Sequence, residues 1–161
     1  MSKKTADIVN TNMVVTIDAS QKDVWQGLTE QIGRWWPTEC YATKGGERTY
    51  KLEAYAGGRM YEESDAGESL LWGTVTCVEA PNKLQAFGMS HPEWGGPTVL
   101  FWNWALSTTQ VRGTQLSFEE SSLGVVKDED VGGRSKAWRY IWHTLKAHAE
   151  GSQMPKWTES K

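Results

Sequence analysis

The sequence predicts an α+β domain, in which an antiparallel β-sheet of about six to seven strands wraps around one long C-terminal α-helix. Two observations support this prediction. Apolar and polar residues alternate with period two through the middle of the chain, between turns rich in Gly, Pro and Asn, as in hairpin-linked strands. Over residues 130–150 the apolar spacing becomes helical. With 161 residues, the chain is expected to form a single domain over residues 1–161.

The N-terminal part predicts one strand followed by two short helices. Residues 1–10 are polar and are expected to be loose, whereas Met13–Asp18 is rich in β-branched residues and predicts a strand. Ser20 is a favourable helix N-cap, and Asp23 stands three residues later, as in a capping box. A second short helix is predicted around Trp35-Trp36.

Six further strands are predicted between residues 50 and 120. Short turns join them, so they are expected to pair as an antiparallel meander and not as a parallel sheet. Gly73 lies inside one of them, which often indicates a β-bulge. The predicted strands are Tyr50–Ala54, Arg59–Glu63, Leu70–Val78, Lys83–Gly88, Val99–Ser107 and Thr114–Glu120.

The last predicted element is a helix over about Asp130–Glu150, which Gly151 is expected to end. Gly132 and Gly133 are expected to precede its first firm turn, and residues 152–161 to form a tail. A meandering sheet has one apolar face to bury, and this helix is the only predicted element long enough to cover it. Its apolar stripe consists of Val131, Trp138, Ile141, Trp142, Leu145 and Ala149.

The charge distribution and the lengths of the apolar stretches argue against nucleic-acid binding, a membrane span and a secretory signal. The 20 acidic and 17 basic residues give a net charge of −3 and are spread along the chain, which does not favour nucleic-acid binding. The longest apolar stretch, Val99–Leu106, is far shorter than the roughly 20 residues of a membrane span. The first ten residues lack the apolar segment of a secretory signal.

Cys40 and Cys77 lack metal-ligand spacing and are interpreted as free thiols of a cytoplasmic protein, with a single disulfide as the alternative.

Several short motifs stand in a characteristic order along nearly the whole chain. They are Ala19-Ser20 with Val24-Trp25, Trp35-Trp36, Gly57-Gly58-Arg59 with Glu62, Trp72-Gly73-Thr74-Val75, Pro81 with Leu84, Gly113-Thr114-Gln115-Leu116, and Trp138. This order resembles the START-like, or SRPBCC, helix-grip superfamily, and within it the polyketide cyclase-related proteins homologous to the activator of the heat-shock-protein ATPase. Ala137 replaces a glycine that usually precedes the tryptophan in that family. The resemblance implies a fold with a hydrophobic cavity, but this fold carries many functions.

The ten tryptophans of the chain either pack into thick aromatic layers or line such a cavity. Our hypothesis is that apolar residues of the sheet and of the C-terminal helix face one another and bind a small hydrophobic or aromatic molecule. The alternative is that the same side chains interlock into a solid core. The candidate ligand-binding residues are Trp35, Trp36, Leu100, Trp102, Trp104, Phe118, Trp138, Ile141, Trp142 and Leu145.

Two glutamates are weak candidates for acid–base chemistry. Glu62 follows Met60 by two positions, and Glu120 follows Phe118 by two, so each points inward if its neighbour does. A carboxylate in the cavity could act as an acid or a base. The alternative is that both are exposed strand residues.

No metal or cofactor site is predicted. His91 and Glu93 lie beside Trp94 in a Gly/Pro loop without a third ligand, and His143 and His148 are five residues apart, so they do not share a helix face. The sequence contains no nucleophile elbow, Walker loop or dinucleotide fingerprint.

Three functions remain open. The favoured one is a non-enzymatic module that binds a small apolar or aromatic ligand. A cyclase- or hydratase-type enzyme would require a buried carboxylate in the cavity, and a chaperone-interacting protein would expose an apolar or charged patch on the outer face of the sheet. Exposed strand edges also permit a homodimer.

Overall fold

The computed structural model describes residues 5–90, 97–126 and 128–157. They form seven strands, three α-helices and one short 3₁₀ turn at Thr38–Cys40. The elements in chain order are β1 (Asp7–Ile17), α1 (Gln21–Thr29), α2 (Ile32–Trp35), β2 (Arg48–Leu52), β3 (Arg59–Ser64), β4 (Ser69–Glu79), β5 (Lys83–Met89), β6 (Thr98–Thr108), β7 (Thr114–Gly124) and α3 (Asp128–Glu150).

All seven strands belong to one antiparallel sheet of order β1-β7-β6-β5-β4-β3-β2. The predicted fold class is therefore confirmed: a meandering sheet, two short helices after the first strand and a long C-terminal helix. Helix α3 packs across the inner face, where it contacts β1 and α1. The core lies between this helix and the sheet.

The start of α1 and the end of α3 have the capping interactions that the sequence predicts. The Ser20 hydroxyl accepts a hydrogen bond from the backbone N–H of Asp23, which caps α1. Gly151 has φ +63° and ends α3, and the N–H of Ser152 donates to the carbonyl of Ala147 at 2.9 Å. This left-handed end satisfies carbonyls that the helix leaves open.

The N-terminal strand and the last helix are both longer than predicted. Residues 7–10, which were expected to be loose, continue β1, because they pair with the extended end of β7 from Gly124 to Ser121. Gly132 and Gly133 were expected before the first turn of the last helix, but they lie inside α3. At residues 7–10, pairing with β7 outweighs a weak local preference.

A β-bulge at Trp72 confirms the irregularity predicted from Gly73. Met60 pairs with Gly73 and Tyr61 with Leu71, so Trp72 is the extra residue of β4. The bulge lets the indole of Trp72 reach the buried carboxylate of Glu62 on the inner face. It therefore brings an additional tryptophan to the interior of the sheet.

Candidate functional site

A cleft of about 490 Å³ opens between α3, the inner face of the sheet and the segment that follows α2. Apolar side chains dominate its wall, with a small number of polar groups among them, as in sites for small molecules. Among the described residues, five indole rings contribute to the wall: Trp36, Trp72, Trp102, Trp138 and Trp157.

Half of the predicted binding residues border this cleft, namely Trp36, Leu100, Trp102, Trp138 and Ile141. The other half do not border it and are buried in the core behind it: Trp35, Trp104, Phe118, Trp142 and Leu145. The predicted residues are therefore divided between the wall of the cleft and the buried aromatic core.

The aromatic core is closely packed around Trp142. Its ring is stacked on Trp138, with ring centroids 5.3 Å apart, and lies 4.9 Å from Phe118. Trp104 meets Trp142 edge to face at 6.3 Å. Among the described residues, the Nε1 atoms of Trp104 and Trp142 have no hydrogen-bond partner. These indoles are therefore held by ring packing, and neither of them borders the cleft.

The polar centre of the cleft is the carboxylate of Glu120, which is only 3% exposed. Its Oε2 accepts hydrogen bonds from Nε1 of Trp102 and Nε1 of Trp138, each at 2.8 Å. Its Oε1 lies 3.6 Å from a guanidinium nitrogen of Arg134. A buried charge thus receives two N–H donors and one cation, which offset the loss of hydration.

The local geometry of three elements brings this centre together. Glu120 follows Leu116 and Phe118 at period two on β7, so all three side chains face inward. The strand register places Glu120 opposite Trp102 on β6. Arg134 and Trp138 are four residues apart on α3, and therefore lie on one helix face.

Glu62 is fully buried, but it does not border the cleft. Its carboxylate accepts hydrogen bonds from the backbone N–H of Thr43 and from Nε1 of Trp72, the latter at 2.9 Å. Of the two candidate carboxylates, only Glu120 is therefore placed to meet a ligand. Glu62 instead fixes the Trp72 indole and the segment before β2.

The floor under Trp102 depends on two glycines. Gly73 and Gly88 pair across β4 and β5, and a Cβ atom at either position would lie less than 3 Å from the Trp102 ring. Because neither glycine has a side chain, the six-membered ring of Trp102 can approach the backbone of both strands.

The mouth of the cleft is formed partly by the segment after α2 and partly by the C-terminal residues. The Tyr140 hydroxyl donates to the carboxylate of Glu39 at 3.3 Å, and its ring meets Trp157 edge to face at 5.0 Å. Cys40 also borders the cleft. Burial, together with the charge of Glu39, raises the pKa of the Cys40 thiol to about 12.

We expect Cys40 to react with alkylating reagents much more slowly than Cys77. With a pKa near 12, only roughly 10⁻⁴ of the Cys40 thiol is ionised at about pH 8, and the thiolate is the nucleophile. Both cysteines are free and half-buried, so Cys77 is the internal control. Peptide mapping after timed treatment with iodoacetamide measures both rates, and equal rates would contradict the prediction.

Sequence reasoning missed eight of the described residues of the cleft wall, and the reasons differ. Arg134 could have been found, because its i, i+4 spacing to Trp138 places a cation on the apolar stripe. Trp72 is brought inward by a bulge, and Trp157 belongs to a segment predicted only as a tail. Glu39 and Cys40 lie in a turn without periodicity. The remaining wall residues are Ser90, Gly133 and Ala137.

The histidines give no indication of a metal centre. His91, Glu93 and Trp94 lie outside the described residues. His143 is exposed on α3, and the His148 ring is hydrogen-bonded to the side chain of Gln31 at 2.8 Å. Within the described part of the chain, no three His, Cys, Asp or Glu side chains are grouped as metal ligands.

No family model and no curated protein sequence matches the chain. Several solved structures are similar to it. An uncharacterised protein from Rhizobium leguminosarum has 15% identity and a TM-score of 0.68, covering 92% of this chain and 98% of its own. The Aha1 dimer from Colwellia psychrerythraea has 20% identity and a TM-score of 0.56, covering 88% and 96%. Ara h 8.0201 has 6% identity and a TM-score of 0.69, covering 91% and 100%.

The chain has the helix-grip fold. Each of these identities is below the range in which function follows from likeness, so the similarity establishes the helix-grip architecture alone. Among the described residues, no helix combines the length and apolar character that crossing a membrane requires.

Proposed function

We propose that this helix-grip protein binds a small aromatic or apolar molecule in the cleft between its sheet and α3. The observation that carries the proposal is a wall that includes five indoles of the described residues, together with one buried polar pair, Glu120 and Arg134. Flat indole faces provide large apolar contact areas for a planar or aliphatic ligand. The Glu120–Arg134 pair on one side of the cleft would orient it.

The arrangement of Glu120 and Arg134 determines which polar groups of a ligand can form hydrogen bonds in the cleft. Glu120 Oε2 is occupied by the two indole N–H groups, whereas Oε1 faces Arg134 at a distance longer than a hydrogen bond. The guanidinium carries five donors, and its side chain is 19% exposed. A ligand hydroxyl or carbonyl can accept from Arg134 while its apolar body contacts Trp36 and Trp72.

Ligand binding is tested by following tryptophan fluorescence and melting temperature together. Suitable probes are 3-phenylpropan-1-ol, 3-phenylpropionate and 3-phenylpropylamine, which share one ring and differ only in the polar end. A ligand at 100 times its Kd should raise the free energy of unfolding by about 2.7 kcal/mol. Saturable quenching with a raised melting temperature for at least one probe supports the proposal, and a flat response to all three contradicts it.

An Ala137→Leu variant should weaken probe binding at least about tenfold, because the added side chain enters the cleft and displaces ligand contacts. Ala137 borders the cleft and is half-buried. The matched control is Arg139→Leu, which places the same side chain on the exposed face of the same helix. Equal affinities of the two variants would show that the probe binds elsewhere.

A second function, catalysis of the cyclase or hydratase type, is favoured by one specific observation: a buried carboxylate, Glu120, on the wall of the cleft. Such an enzyme would use this group to transfer a proton to or from a bound substrate. The Glu120→Gln variant then separates the two functions. A binding module loses affinity at most, whereas an enzyme retains binding and loses turnover.

Within the helix-grip proteins, we infer kinship with the activator-homologue family from the sequence motifs quoted above. A chaperone-interacting role is the third candidate. It would require an apolar or charged patch on the outer face of the sheet.

A further inference from the structure

The outer face of the sheet carries an apolar row that crosses four strands in register. Ile8 on β1 pairs with Leu123 on β7, Leu123 with Val99 on β6, and Val99 with Met89 on β5. Their exposed fractions lie between 36% for Val99 and 72% for Ile8. Alternation along each strand places all four side chains on the side opposite α3.

A second outward row begins two residues further along each strand. Phe101 on β6 pairs directly with Phe87 on β5, and they are 52% and 44% exposed. Ser121 and Asn10 continue this row across β7 and β1, where the Ser121 hydroxyl donates to the Asn10 side chain at 2.7 Å. We call the six apolar side chains of the two rows the outer patch: Ile8, Phe87, Met89, Val99, Phe101 and Leu123.

The next outward row is entirely polar and limits the patch. Gln85 and Glu119 each share a hydrogen bond with Asn103, which lies between them on β6. The outer face is therefore divided into an apolar end and a polar end, although the same strands supply both. Scattered exposed apolar residues need no explanation, but a contiguous group with a polar border marks an interaction site.

We propose that two copies of this chain associate through the outer patch. With the exposed fractions above, the six side chains present on the order of 700 Å², close to the roughly 800 Å² per partner of a standard protein interface. Antiparallel sheets pack face to face about 10 Å apart when their facing rows are apolar. The rows of the outer patch can therefore pack against the same rows of a second copy.

The charges favour a second copy over a lipid surface. The two rows contain no Lys or Arg on β1, β5, β6 or β7, and the chain as a whole has a net charge of −3. Anionic lipid surfaces attract clusters of basic residues, which the outer patch lacks. In a two-fold arrangement the apolar side chains of one copy meet those of the other, and neither row brings a charged residue into the contact.

Sedimentation velocity and light scattering on the full chain at about 100 µM test this association, since interfaces of this size reach micromolar affinity or better. We expect a dimer for the wild type and a monomer for Phe101→Glu, because the substitution places a charge in the contact. The matched control is Val14→Glu, on the outer face of β1 but beyond the polar row, where Val14 is 64% exposed. This variant should remain a dimer.

Circular dichroism of Phe101→Glu, with Met89→Glu as a second variant, shows whether loss of the dimer reflects the interface or the fold. A folded monomer supports the proposal. A monomeric wild type overturns it and would leave the patch to another protein, and a Phe101→Glu dimer would place the interface elsewhere. Neither result bears on ligand binding in the cleft, which lies on the opposite side of the sheet.

Discussion

Replacement of Glu120 by alanine is expected to lower the free energy of unfolding by about 3–5 kcal/mol. The substitution removes the acceptor for two buried indole N–H groups, those of Trp102 and Trp138. It also leaves the guanidinium of Arg134, which is largely buried, without its carboxylate. An unpaired buried donor costs about 1–3 kcal/mol, and an unpaired buried charge costs more. Urea denaturation followed by fluorescence measures the change.

The matched control for this variant is its neighbour on the same strand. Glu119 points to the outer face, where its carboxylate accepts one hydrogen bond from Asn103 at 3.1 Å. Its replacement by alanine should change stability by no more than about 0.5 kcal/mol, as for most surface positions. A similar loss in both variants would mean that Glu120 contributes only as a strand residue and that the polar centre does not stabilise the fold.

The Gly88→Ala variant is expected to lose at least about 3 kcal/mol of stability, at the upper end of the cost of overpacking. An added Cβ would lie 2.0 Å from the carbonyl oxygen of Trp72 and 2.8 Å from the Trp102 ring. Neither obstacle can move easily, because one is backbone and the other is an indole anchored to Glu120. Strand β5 would have to separate from β4, or Trp102 would have to leave its place on the sheet.

The Gly132→Ala variant is the control for Gly88→Ala, and it is expected to have the opposite effect on stability. Gly132 lies inside α3, and a Cβ there would meet no atom within 4 Å. Alanine should stabilise the protein by about 0.5–1 kcal/mol, since it restricts the unfolded chain and favours the helix. Thermal or urea denaturation of both variants tests the pair. Destabilisation at Gly132 would indicate that this turn of the helix is not formed.

Much of the architecture follows from local patterns that the sequence shows directly. Period-two alternation locates the strands, and the short turns between them allow only antiparallel neighbours. The apolar stripe from Trp138 to Leu145 defines the helix that covers the sheet, and Gly151 defines its end. These features depend on residues close together in the chain, so composition and spacing determine them.

The cleft, by contrast, depends on contacts between distant segments. The sequence shows that Glu120 alternates with Phe118, but only the strand register places it against Trp102, and only the packing of α3 adds Arg134 and Trp138. The same packing decides which candidate tryptophans border the cleft and which interlock around Trp142.

Three further features of the structure also depend on contacts between segments that are distant in the sequence. Residues 7–10 become strand because β7 extends far enough to pair with them, and Trp72 turns inward because a bulge shifts the alternation. Trp157 reaches the mouth of the cleft from a segment without periodicity. The sequence by itself determined the elements and their order. Tertiary packing decided the register and the site, because their energies come from pairs of residues that no local pattern relates.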